Sequence, residues 1–120
     1  TFLTAAGVEM APEWKLDGVD LMPFLSGKKT QAPHETLFWR YWFTGEPQRL
    51  AAAVREGPWK LVTAKPGPPG KETWSLFNLA EDPGETRNLI AGKKYAAQRE
   101  KLSEELDAWL VRTGWPKGEN

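Results

Sequence analysis

The spacing of apolar residues changes along the chain and predicts two kinds of element. Between residues 36 and 79, short runs rich in aromatic and β-branched side chains alternate with turn residues, which is typical of strands. From about residue 93 to 112, apolar residues recur at the spacing of an amphipathic helix. Its apolar residues are Tyr95, Leu102, Leu106, Trp109 and Leu110. The pattern therefore predicts several strands followed by one long helix.

Turn residues divide the strand region into four predicted strands. Glu56-Gly57-Pro58 is a hairpin signal between the second and the third strand, and the proline- and glycine-rich residues 66–70 predict a loop after the third. A helix laid across an antiparallel sheet buries the apolar faces of both. We therefore expect an α+β fold, with a four-stranded antiparallel sheet packed against a long C-terminal helix. The predicted strands are residues 36–43, 50–55, 59–63 and 72–79.

The first 35 residues show a different pattern. Apolar residues at positions 2, 3 and 6 have helical spacing before Gly7, and Asp20 is placed to cap a short helix that Gly27 closes. We expect an irregular, partly helical segment over residues 1–35, ahead of a sheet-and-helix unit over residues 36–120. The opening residues are not typical of a natural start, so we expect the chain to begin inside a longer protein.

Composition argues against several classes of function. The formal net charge is zero, which removes the electrostatic attraction that dominates nucleic-acid binding. The sequence has no cysteine, which excludes disulfides, thiolate zinc sites and cysteine nucleophiles. No apolar run approaches the roughly 20 residues of a membrane span. The seven Trp and five Phe residues instead favour a folded domain, because they supply apolar area for burial.

The sequence contains no recognisable catalytic or metal site. It has one histidine, no glycine-rich phosphate loop, and no pair of carboxylates placed for acid–base catalysis. His34 is either a substrate contact or a loop histidine bonded to backbone. The second interpretation is favoured, because a lone histidine lacks the partner group that catalysis needs. Arg55 and Lys60 could hold an anion, although paired surface charges are the commoner explanation.

Residues 38–42 form the most aromatic run of the chain. On a strand, Phe38, Arg40 and Trp42 share one face, and Trp39 and Tyr41 share the other. Either face could stack on a sugar. Packing in the core or against another domain is favoured, because aromatic side chains mostly serve burial.

Four segments, in order along the chain, resemble the sulfatase family. Residues 16–27 (LDGVDLMPFLSG) are similar to the family's DG-x-S-L-x-P-x-L-x-G, with Asp20 where Ser is usual. Residues 34–40 (HETLFWR) give the second match. Residues 53–62 (AVREGPWKLV) are similar to A-V-R-x-G-x-W-K-L, and residues 76–89 (LFNLAEDPGETRNL) to L-Y-D-L-x-x-D-P-x-E-x-x-N-L. Each segment alone is a weak signal, but the ordered set is a strong one.

The resemblance implies the C-terminal subdomain of an arylsulfatase-type enzyme of the alkaline phosphatase superfamily. Such enzymes hydrolyse sulfate esters with a formylglycine, made from Cys or Ser in a C/S-x-P-x-R motif, and with a calcium ion held by Asp and Asn. None of these motifs is found here. We therefore assign no catalytic residue, metal ligand or cofactor to this chain. Calcium and formylglycine are expected in the full-length parent, which the resemblance places in the periplasm or outside the cell.

The resemblance also implies the partners of the chain. They are the N-terminal catalytic domain of the same protein and a sulfated small molecule or glycan, with His34, Arg40 and Trp42 as candidates for the rim of the substrate pocket. We expect the chain alone to be inactive, to support stability in the parent, and to self-associate through any apolar patch left uncovered. A stand-alone carbohydrate-binding module, a purely structural domain, and a parent that cleaves phosphonates or phosphodiesters stay open as alternatives.

Overall fold

The structure is a computed structural model, and it divides the chain into two compact units, residues 1–35 and residues 36–120. At Trp42 and Leu50 it describes the backbone alone. The described residues are 1–14, 16, 18–42, 50–64 and 73–114.

The described part of the second unit contains a four-stranded antiparallel sheet followed by a long helix, which confirms the predicted α+β fold. The strands occur in the sheet in the same order as in the sequence, so each pairs with its neighbour along the chain. A 3₁₀ turn, Lys93–Tyr95, leads into the long helix. The elements are β1 (Thr36–Trp42), β2 (Leu50–Glu56), β3 (Trp59–Ala64), β4 (Thr73–Asn78) and the helix α3 (Ala96–Arg112).

The hairpin between β2 and β3 is tight. Glu56 pairs with Trp59, so only Gly57 and Pro58 connect the strands. Gly57 has φ of 54°, a left-handed conformation that glycine adopts without a Cβ clash. The hairpin predicted at this position is confirmed, with Glu56 as the last residue of its strand. The loop predicted at residues 66–70 lies outside the described residues.

The core lies between the sheet and α3, which packs across β2 and β3. Leu61 pairs with Val54 on one side and with Leu76 on the other, so these three side chains form an apolar row across the sheet. Their burial is complete, and each contributes about 1.5–3 kcal/mol relative to full exposure. The buried leucines of α3 are three that the helical spacing predicted: Leu102, Leu106 and Leu110.

The first unit consists of two single-turn helices and connecting loops. The helices are α1 (Phe2–Ala5) and α2 (Met22–Leu25), and each is followed by a glycine with positive φ, as predicted. Asp20 lies one residue before the N-cap position, which Leu21 occupies, yet its Oδ1 still accepts the Met22 N–H at 3.0 Å. None of the described residues of this unit is buried. No helix within the described ranges is long and apolar enough to cross a membrane.

Candidate functional site

The candidates for the pocket rim lie at the end of the first unit and along β1. His34 is partly exposed and belongs to the first unit. Arg40 is exposed in β1, and its Nη1 donates a hydrogen bond to the carbonyl oxygen of Thr113 at 3.1 Å. Trp42 is the last residue of β1, but its side chain lies outside the described part of the structure. The hydrogen bond gives Arg40 a structural role just beyond the end of α3, where unpaired carbonyls attract a cation.

The two faces of β1 have different surroundings. Phe38 stacks on Trp109 of α3, with ring centroids 5.2 Å apart and ring planes 9° from parallel. Trp109 is itself packed against the core, so Phe38 serves burial on this face of β1, as the sequence favoured. On the other face, Trp39 is 46% exposed and Tyr41 is 58% exposed.

The two cations beside the hairpin already have partners within the chain. The Lys60 ammonium lies 2.6 Å from Oε1 of Glu85, and both side chains are partly buried. The Nε of Arg55 donates to the carbonyl oxygen of Gly57 at 3.1 Å. The ion pair agrees with the interpretation of Lys60 as a paired surface charge, whereas the partner found for Arg55 is a backbone carbonyl.

Asp82 organises the loop after β4. Its Oδ2 accepts the backbone N–H of Arg87 at 2.8 Å, and its Oδ1 accepts the backbone N–H and the hydroxyl of Thr86 at 3.1 and 2.9 Å. The bonds from the Arg87 and Thr86 amides stabilise the carboxylate and lower the pKa of Asp82. Within this loop, Glu85 adopts a positive φ of 55° and forms the ion pair with Lys60.

Asn88 ties the same loop back to β4. Its Oδ1 accepts the backbone N–H groups of Leu76 and Ile90, both at 3.0 Å. Its Nδ2 donates to the Trp74 carbonyl oxygen at 3.3 Å and to Ser75 Oγ at 3.1 Å. Asp82-Pro83-Gly84 is typical of a turn, but no comparable sequence signal indicates the part played by Asn88. In the segment 76–89, these polar residues therefore hold the loop in place.

Two open clefts are lined by described residues, and their linings do not include His34 or Arg40. The first, of about 560 Å³, lies between β4 and α3. Arg99, in its lining, donates to the Ile90 carbonyl oxygen at 3.0 Å. The second, of about 420 Å³, lies on the sheet face opposite α3. Its lining residues are Trp39, Ala53, Arg55, Lys60, Val62, Leu79 and Glu85.

A sequence profile of the family described as N-sulphoglucosamine sulphohydrolase, C-terminal, matches residues 1–112. The chain belongs to this sulfatase family. The match covers all four segments that carried the resemblance in the sequence. The match therefore extends over residues of both units.

The chain is similar in sequence to part of the length of known sulfatases. Arylsulfatase A of Bos taurus is 34% identical over 107 residues, which cover 75% of this chain and 20% of that protein. The uncharacterized sulfatase YdeN of Escherichia coli (strain K12) is 42% identical over 50 residues, covering 38% of this chain and 9% of that protein. The chain thus spans about a fifth of the length of arylsulfatase A, and the matched residues cover a smaller share of YdeN.

Solved structures show the same fold. The protein BT4656, solved in complex with its substrate D-glucosamine-2-N,6-O-disulfate, superposes with a TM-score of 0.72 at 21% identity, covering 92% of this chain and 22% of that one. At that identity the likeness is one of fold. The phosphonate monoester hydrolase of Agrobacterium radiobacter superposes with a TM-score of 0.66 at 25% identity, covering 93% of this chain and 23% of that one.

The residues of this sulfatase C-terminal domain do not fit the groups that its family implies for catalysis. Among the described residues, no cluster of three or more His, Asp or Glu side chains is placed to hold a metal ion. The sequence has no cysteine, and none of its serines lies in an S-x-P-x-R motif from which formylglycine could be made. No step of a sulfatase reaction is therefore assigned to these residues.

Proposed function

We propose that this chain is the C-terminal subdomain of a sulfuric ester hydrolase and that the chemistry takes place in an N-terminal catalytic domain of the same protein. The observation that carries the proposal is the family match over residues 1–112. In this proposal residues 1–35 belong structurally to the catalytic domain, and residues 36–120 form the subdomain proper. The chain alone is inactive, because calcium and formylglycine belong to the part of the protein outside it.

The proposed substrate is a sulfated small molecule or glycan. The names of the relatives support this class, since the family description, arylsulfatase A, YdeN and the sulfated sugar bound to BT4656 all point to sulfate groups. A phosphonate monoester is the second candidate, favoured by the 25% identity to the phosphonate monoester hydrolase. By the same family relationship, we place the parent in the periplasm or outside the cell.

The test is an assay of the longer protein that carries this chain. We expect hydrolysis of aryl sulfates or sulfated glucosamine at a higher kcat/KM than hydrolysis of a phenyl phosphonate monoester. We expect no hydrolysis by the 120-residue chain in the same assays. A parent that cleaves only the phosphonate, or an isolated chain that is active, would contradict the proposal.

Within this function, we propose that His34, Arg40 and Trp42 lie at the rim of the substrate pocket. The position of His34 two residues before β1 and the exposure of Arg40 support the idea. For Arg40 the hydrogen bond to Thr113 supplies a competing structural explanation. His34→Ala and Arg40→Ala in the parent should each lower kcat/KM by about tenfold, the equivalent of one lost substrate hydrogen bond. Unchanged kcat/KM on several sulfate esters would remove these residues from the rim.

A further inference from the structure

The cleft of about 560 Å³ between β4 and α3 is lined on one side by a single stripe of the helix. The helix residues in its lining are spaced i, i+3, i+4, i+7 and i+8, so they face β4 together. They are Ala96, Arg99, Glu100, Ser103 and Glu104. On the other side lies Trp74 of β4, which shares a sheet face with Leu76, a member of the core formed with α3.

The walls of the cleft are held in place within the chain. Trp74 is partly buried and packs against the core, and Ile90 beside it does the same. The Nη1 of Arg99 donates to the Ile90 carbonyl oxygen at 3.0 Å. Ala96 and Ser103 are small, which leaves space between the helix and the strand. The volume lies within the roughly 300–1,000 Å³ of small-molecule sites, which are also usually formed before the ligand binds.

Two carboxylates of this lining, Glu100 and Glu104, are unpaired. Both are exposed, and they lie four residues apart on α3, where two like charges destabilise a helix. No ion pair or side-chain hydrogen bond from the described residues reaches either of them. The other described glutamates of the second unit each lie within 3.8 Å of a Lys or Arg nitrogen: Glu56, Glu81, Glu85 and Glu105. The cleft therefore carries two carboxylates against the single cation of Arg99.

The combination of these carboxylates with Trp74 indicates the kind of ligand that would fit. Two exposed carboxylates alone would be an ordinary solvated surface. An indole ring, however, attracts a cation over its face and packs against apolar surface. An ammonium group carried on a sugar ring satisfies both features, and the Ser103 hydroxyl can exchange hydrogen bonds with sugar hydroxyls. A sulfate group does not fit, because Glu100 and Glu104 repel it.

We propose that this cleft binds an unsulfated amino sugar residue of a glycan through its free ammonium group. The choice of a sugar among organic cations rests on the proposed function, in which the parent acts on a sulfated glycan. Binding in the cleft holds the glycan chain on the parent, which raises the effective concentration of the sulfated residues on the same chain.

The test measures binding of a glucosamine tetramer to the parent protein by isothermal titration calorimetry. The measurement is made at mildly acidic pH, where the amines of the tetramer are charged, and the N-acetylated tetramer is the uncharged comparison. Glu100→Gln/Glu104→Gln retains the size of both side chains but removes their charge. It should raise the Kd for the glucosamine tetramer about tenfold, the equivalent of one charge-assisted hydrogen bond, and leave the Kd for the N-acetylated tetramer unchanged.

Asp107→Asn is the matched control for Glu104→Gln. Asp107 is exposed on α3, three residues after Glu104, and does not line the cleft. Each variant removes one negative charge from the same helix. Glu104→Gln should raise the Kd for the glucosamine tetramer about threefold, whereas Asp107→Asn should change it by less than about twofold. In the wild-type parent, the tetramer should also slow hydrogen exchange in the peptides that cover β4 and the first half of α3.

Several results would overturn the proposal. Absence of tetramer binding to the wild-type parent, or a double variant that binds as tightly as wild type, would remove the site from the cleft. Equal affinity for the charged and the N-acetylated tetramer would exclude recognition of the ammonium group. Equal weakening by Glu104→Gln and Asp107→Asn would mean a general attraction to a negative surface.

A different occupant would be seen with trilysine as the probe. Tighter binding of trilysine than of the glucosamine tetramer, with the same dependence on Glu100 and Glu104, would assign the cleft to a basic peptide. Failure of the proposed function is seen separately, because hydrolysis of a small aryl sulfate is measured on the wild-type parent and binding in the cleft does not require cleavage.

Discussion

Phe38 of β1 and Trp109 of α3 stack almost in parallel, with ring centroids 5.2 Å apart. β1 is an edge strand, paired with β2 alone in the described sheet. The stack therefore joins the edge of the sheet directly to the last turns of α3. It adds an aromatic contact to the leucine core, in which Leu106 and Leu110 lie within four residues of Trp109.

Trp109→Ala should lower the free energy of unfolding of the chain by about 3 kcal/mol, the low end for a Trp-to-Ala change because Trp109 is only partly buried. Trp109→Phe should retain most of the stability, since it retains a ring against Phe38. The measurement is urea unfolding followed by circular dichroism. Val111→Ala, an exposed change two residues away, should stay within about 0.5 kcal/mol of the wild type. If Val111→Ala lowered the free energy of unfolding as much as Trp109→Ala, the loss would come from truncating any side chain near the end of α3 and not from the stack with Phe38.

Asn88→Ala should cost about 1–3 kcal/mol, because it leaves the backbone N–H of Leu76 without the acceptor seen in the structure. Asn88→Asp is the informative partner variant. It retains an acceptor for Leu76 and Ile90 but loses the donor to Trp74 and Ser75, so its stability should be intermediate. Hydrogen exchange at Leu76 should accelerate in Asn88→Ala. An Ala variant with unchanged exchange there would contradict the bracing role of Asn88.

The sequence predicted the sheet and α3 because their apolar patterns are local. Strand alternation and the helical repeat of the leucines can each be seen within a single element. The start of α2 differs from the prediction by one residue, since the Asp20 carboxylate reaches the Met22 N–H from a position before the N-cap. Short helices have boundaries that depend on such single contacts.

Contacts between distant elements could not be predicted in this way. Lys101 lies four residues before Glu105 on α3, the spacing at which two side chains on one helix form an ion pair. Its ammonium is 3.8 Å from Glu105 but lies 2.6 Å from Glu56 of β2, 45 residues away in the chain. The contact between Arg40 and Thr113 spans 73 residues. Neither pairing follows from local periodicity, because each depends on where α3 lies on the sheet.

Arg40→Ala should therefore destabilise the isolated chain, where no substrate is present. We expect a loss of about 0.5–1.5 kcal/mol from the hydrogen bond to Thr113, near the low end because the side chain is exposed. Arg40→Lys should recover part of it, since a cation still lies near the C-terminal end of α3. Urea unfolding of the 120-residue chain measures both variants. If Arg40→Ala left the free energy of unfolding unchanged, the structural role of Arg40 would be wrong. A place at the rim of the substrate pocket would then remain as its proposed role.

Asp82 should make the stability of the chain sensitive to acid. The backbone N–H groups of Arg87 and Thr86 lower its pKa in the folded state below the ordinary value of 3.8. A carboxyl with a lowered folded pKa stabilises the fold above its unfolded pKa and loses that contribution as the pH falls through the folded value. The difference in urea midpoint between wild type and Asp82→Asn should therefore be constant from pH 7 to about pH 5 and should shrink below about pH 4.

Asp107→Asn, a change at an exposed position of α3, is the control and should leave the acid dependence of the wild type unaltered. A difference between wild type and Asp82→Asn that stays constant down to pH 2.5 would mean that the carboxylate charge does not contribute to holding the loop after β4.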